Sequence, residues 1–109
     1  MNNFWEILQG HIGSLENILN KAENGVGIVS EIRSYLPSMN QVVTTMVELS
    51  TEPNKSIELN HEFVIQVLND IVYGIQNEDE VYLQDVLQYG LLEIYNYVSD
   101  ELRNEEVYG

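Results

Sequence analysis

The sequence predicts an all-α protein: an antiparallel up-down bundle of about four helices, with the second kinked or split at Pro37. Three observations carry this. Apolar residues recur at three- and four-residue steps in four successive stretches. Only two prolines, Pro37 and Pro53, interrupt the 109 residues. The β-branched residues fall inside the helical spacing and do not alternate as a strand would require.

The first helix is expected from about Asn3 to Ala22, with Trp5, Leu8, Ile12, Leu15 and Leu19 on one stripe. Asn2 or Asn3 can cap its start, Lys21 suits the negative end of its dipole, and Asn24-Gly25 reads as its stop. Gly10 and Gly13 lie inside it. Each costs about 1 kcal/mol relative to alanine, so close helix contact is expected there. The second helix is expected from about Gly27 to Leu49, with Ile28, Ile32, Tyr35, Leu36, Met39, Val42, Val43, Met46 and Val47 on its apolar side. Pro37 removes a backbone donor and clashes with the preceding turn, hence the expected kink or break. Ser50 to Lys55, STEPNK, is the clearest loop.

The third helix is expected to start near Ser56 or Asn60 and end near Gln76. Phe63, Val64, Val67, Leu68, Ile71 and Ile75 form its stripe. Asn77-Glu78-Asp79 makes a short turn, and a fourth helix follows to about Leu102. Residues 1–103 then form a single domain, and 104–109 a frayed acidic tail.

The stretch EDEVYLQDVLQYGLLEIYNYV, residues 78–98, combines four tyrosines and five acids with no Lys or Arg. At 100° per residue its core stripe is Leu83, Val86, Leu87, Gly90, Leu91, Ile94, Tyr97 and Val98, with Tyr95 and Leu102 on the edge. Tyr82, Tyr89 and Leu92 fall outside, beside Asp85, Glu93 and Asp100. On the third helix Tyr73 lies opposite the stripe, near Asp70, Glu62 and Gln66. Tyrosine offers a large rigid ring with a polar tip, which suits interfaces. Tyr73, Tyr82, Tyr89 and Leu92 are therefore candidate partner anchors, with Asp70, Asp85 and Glu93 as electrostatic guides.

Composition excludes several functions. With no cysteine there are no disulfides, thiolate metal sites or cysteine nucleophiles. A net charge of −14, from 18 acids and 4 bases, disfavours direct binding of nucleic acid or anionic membranes and leaves a basic partner, or none, with the charge then serving solubility alone. The N-terminus lacks the basic start and long apolar run of a signal peptide, and no stretch approaches a membrane span. A soluble cytoplasmic protein is expected.

Signals for chemistry are weak. Glu58-x-x-His61 has the spacing that supplies two ligands in di-iron bundles, but His11 has no matching glutamate, so no metal site is expected. His11 itself sits on the flank of an apolar stripe and reads as a packed or capping histidine. No nucleophile elbow, P-loop or dinucleotide fingerprint occurs. No enzymatic activity and no cofactor are expected.

Residues 67–98, VLNDIVYGIQNEDEVYLQDVLQYGLLEIYNYV, resemble a small family of acidic helical proteins and domains of Gram-positive bacteria that is functionally uncharacterised. The matching positions are Val81, Leu83, Asp85, Val86, Leu87 and Tyr89 in the run after the turn. Gly90 departs from the pattern, where the family more often has glutamate. The resemblance implies a helical bundle of bacterial cytoplasmic origin and supplies no activity. The residues themselves point to a non-enzymatic, acidic protein-interaction domain with an adaptor or regulatory role. An immunity-type inhibitor or nucleic-acid mimic that neutralises a basic partner is the alternative. A homodimer paired through the fourth helix is a third reading.

Between Lys55 and Arg103 there are ten acids and no base, so no i, i+4 ion pair can form inside that span. Screening of this self-repulsion should stabilise the fold. The melting temperature is expected to rise from low to moderate salt; a flat or falling value in a thermal scan would contradict it.

Overall fold

Each of the four apolar stripes closes one side of a single core. The computed structural model describes residues 3–53 and 57–108, with side chains through Asn104. Its helices are α1 (Asn3–Glu23), α2 (Val29–Ser50), α3 (His61–Gln76), and a last rod in three consecutive stretches. These are α4 (Glu80–Val86), a π-helical turn (Leu87–Leu91) and α5 (Leu92–Tyr108). Helices adjacent in sequence, and the first and last, pack antiparallel. His11 meets Tyr35 between α1 and α2, Ser50 meets His61 between α2 and α3, and Gln9 of α1 donates to Ser99 of α5. The bundle is therefore up-down-up-down.

The helix ends follow local chemistry. Gly25, at φ 81°, closes α1: its N–H and that of Val26 donate to Ala22 and Lys21 carbonyls at 3.0 Å each. Lys21 then bridges to Glu31 at the start of α2, at 3.2 Å. Asn60 caps α3 by accepting the Phe63 N–H, and Asp79 caps α4 by accepting the Tyr82 N–H. The turn between them uses the same geometry as the first, with Asp79 N–H on the Gly74 carbonyl at 2.9 Å. Here Glu78 holds the left-handed position at φ 48°, which costs a side-chain-bearing residue about 1 kcal/mol.

α2 has no side-chain cap of its own. The Ile28 N–H instead donates to the Glu80 carboxylate, 52 residues away, at 2.7 Å. Pro37 neither splits nor ends α2, which runs unbroken through it. The proline is exposed, so the Arg33 carbonyl it leaves without a helical donor lies on the solvent side.

The core holds the predicted residues of α1 and α2, with Trp5, Tyr35, Leu36 and Val47 half-buried at its rim. Two expectations fail. Gly10 and Gly13 face solvent, and an added Cβ would touch nothing within 4 Å, so no helix contact explains them. Phe63 is 46% exposed and lies outside the core of α3.

The larger correction is in the last rod. Leu83, Leu87 and Gly90 are buried as an ordinary helix requires. The π turn then adds one residue and rotates everything after it by about 100°. Tyr95 and Leu102, expected at the edge, are fully buried, and Ser99 joins them. Tyr97, expected in the core, turns out to 37% exposure. Its hydroxyl accepts the Glu58 N–H at 3.1 Å and so holds the strap before α3, whose Ile57 is buried.

α3 and the last rod approach closely at two glycines. A Cβ at Gly74 would lie 3.3 Å from Leu83 Cβ, and one at Gly90 would lie 3.0 and 3.2 Å from the Val67 methyls. Val67 is buried and β-branched, so it has little freedom to yield. Gly90→Ala gains about 1 kcal/mol of helix propensity but overpacks by about 1–3 kcal/mol. A net loss of about 1 kcal/mol is expected in urea denaturation; a more stable variant would show that the seam can open.

Candidate functional site

The close seam leaves a groove on its outer side, walled by α3 and the last rod. One depression is lined by Phe63, Val67, Asp70, Asp85, Val86 and Tyr89, over Gly90. The next, sharing Phe63, is lined by Glu58, Leu59, Glu93 and Tyr97 among others. Beyond the first, Tyr73 and Tyr82 meet edge-on with ring centroids 5.3 Å apart. Tyr82 is half-buried; burial and the neighbouring Asp70 carboxylate push its pKa above the ordinary tyrosine value. Gln66 donates to the same carboxylate at 2.8 Å.

Six of the seven candidate residues thus share one face. Tyr73 and Tyr89 are strongly exposed, at 54% and 66%, Asp85 and Glu93 are exposed, and Tyr82 and Asp70 are half-buried. Leu92 does not belong with them. The rotation at the π turn brings it half-buried against the core, in a separate depression with Glu16, Leu19 and Glu23 of α1. Sequence reasoning also missed two aromatic members, Phe63 and Tyr97, because it assigned both to the core. Lys55 and Arg103 flank this span and no Lys or Arg lies between them, so the carboxylates of the face have no cation beside them in sequence.

The metal-spaced pair separates. Glu58 lines this groove, whereas His61 bonds to Ser50 at 3.2 Å and lines a different, apolar groove between α2 and α3. Among the described residues no three His, Asp or Glu side chains gather as a possible metal site. Among the same residues no helix is long and apolar enough to cross a membrane.

A second polar cluster lies between α1, α2 and α5. His11 Nδ1 is 2.8 Å from the Tyr35 hydroxyl, which is 2.7 Å from the Tyr95 hydroxyl. Burial pushes the Tyr35 and Tyr95 pKa values up, so both hydroxyls keep their protons. With His11 neutral and its Nδ1 unprotonated, Tyr95 donates to Tyr35 and Tyr35 donates to His11. A proton on Nδ1 reverses the chain and leaves the buried Tyr95 hydrogen without that acceptor. Burial accordingly lowers the His11 pKa below 6.5. A lowered folded pKa gives stability that is present above 6.5 and lost as pH falls through the folded value. The melting-temperature advantage of wild type over His11→Asn is expected to shrink between pH 7.5 and 5; an advantage that is constant or grows would contradict the network.

A family model for a domain of unknown function, DUF8042, matches residues 16–101, from the middle of α1 through most of α5. No curated protein and no solved structure gives a significant match. The matched span contains the whole groove and leaves His11 outside it. The chain therefore belongs to the DUF8042 family, whose function is unknown.

Proposed function

We propose that this is a non-enzymatic, acidic protein-interaction domain with an adaptor or regulatory role, and that the outer groove between α3 and the last rod is its binding face. The observation that carries the reading is the convergence there of Tyr73, Tyr82, Tyr89, Asp70, Asp85 and Glu93. Exposed aromatic rings supply desolvation and shape, and the carboxylates supply orientation and a fast approach. The partner is a protein carrying a basic surface, encountered in the cytoplasm. A neutralising role, as an immunity-type inhibitor or nucleic-acid mimic, uses the same face; the density of acids without bases from 56 to 102 favours it as the second reading.

The test is an affinity capture from the host lysate with the wild-type chain and with the double variant Asp85→Arg/Glu93→Arg, at low and moderate salt. Both sites are exposed, so the variant should fold as wild type does by circular dichroism. A basic protein held by wild type and lost by the variant is the expected result. Equal capture by both would place the interaction elsewhere on the molecule.

A further inference from the structure

The groove has features that narrow its occupant. Apart from the short strap 57–60 at the end of the second depression, the walls are helices whose backbone groups are bonded within each helix, so an extended peptide laid along them would find few main-chain partners. A helix brings its own backbone bonds with it, and helix-in-groove docking needs only apolar and charged side chains. The groove offers those. Phe63, 46% exposed, stands between the two depressions and is common to both. Each depression has a carboxylate on either wall: Asp70 faces Asp85 in one, and Glu58 faces Glu93 in the other.

Asp85 and Glu93 are eight residues apart on the last rod, about 12 Å at helical rise. That is about two turns of an approaching helix. It matches cations at i and i+7 or i+8, with an apolar side chain at i+3 or i+4 over Phe63.

We propose that the groove binds a basic amphipathic α-helix of a partner protein, with Lys or Arg two turns apart on the carboxylate pairs and an apolar side chain on Phe63. The proposal rests on the interaction reading above and names the partner's chemistry. Charge complementarity selects this occupant over a second copy of the chain, which would bring −14 against −14.

The probe is a labelled 14-residue peptide of Leu and Lys, with Leu at helical i, i+3, i+4, i+7 spacing. A scramble of identical composition that breaks this period is its control. Titration into the isotope-labelled full chain is followed by amide shifts and by fluorescence anisotropy. The expected result is binding of the periodic peptide with shifts confined to residues around Phe63, Asp70, Asp85 and Glu93. Asp85→Asn/Glu93→Gln should then weaken it about tenfold at low salt, while Glu16→Gln/Glu23→Gln on the α1 side should not. Phe63→Ala should weaken it at moderate salt as well, where the charges are screened.

Equal binding of the scramble, or shifts spread over all acidic surfaces, would overturn the proposal. So would concentration-dependent shifts of this face without peptide, which identify a second copy as the occupant. If the probe fails while the lysate partner is still lost on Asp85→Arg/Glu93→Arg, the interaction face stands and the helical occupant falls.

Discussion

The seam between α3 and the last rod is the constraint on which the rest depends. With 18 acids and 4 bases, ion pairing cannot hold this chain together, and the stabilisation must come from apolar burial. At Gly74 and Gly90 the two helices come close enough for Leu83 and Val67 to lie against bare backbone. That approach buries Leu83, Leu87 and Leu91 completely and fixes how the outer walls splay apart. The groove is the outer consequence of that packing: a tighter seam below, a wider cleft above. It also gives Gly90 its meaning, since a glutamate there would have to enter the space that Val67 fills.

The sequence made four helices readable because their stripes are regular and their ends carry ordinary signals: Asn24-Gly25, Asn60 and Asp79. What it hid was a change of phase. A helix with one extra residue keeps its composition and its spacing on either side, and only the angle between the two halves alters. Leu91, Tyr95, Val98 and Leu102 form a good stripe by themselves, at four-, three- and four-residue steps. So do Leu83, Leu87 and Gly90. The clue was that no single 100° progression centres both. Forcing one progression placed Tyr97 inside and Leu92 outside, and both are reversed or softened by the turn. Gly10 and Gly13 show the opposite failure: a strong local signal with no structural counterpart.

For the candidate face the legible part was helical phase before the turn, which put Tyr73, Tyr82 and Tyr89 outside. That Asp70 would join Tyr82, and that Phe63 would stand between two depressions, depended on the register of the hairpin. Register comes from the three-residue turn and the two glycines together, and single-sequence periodicity does not carry it. The His11–Tyr35–Tyr95 chain was hidden for the same reason: its members come from three helices and meet only after packing.

The carboxylate of Glu80 touches more of the molecule than its place in a first turn suggests. It receives the Ile28 N–H at the head of α2, so one hairpin supplies the missing cap of the other. The first turn of α2 therefore cannot complete its hydrogen bonding from local residues, and waits for a segment 52 positions downstream. Loop closure over such a span carries an entropic cost that must be met before the contact forms. This bond at the head of α2 forms only when the two hairpins dock. The bond is then a latch on the finished bundle, and its presence reports that both halves have come together.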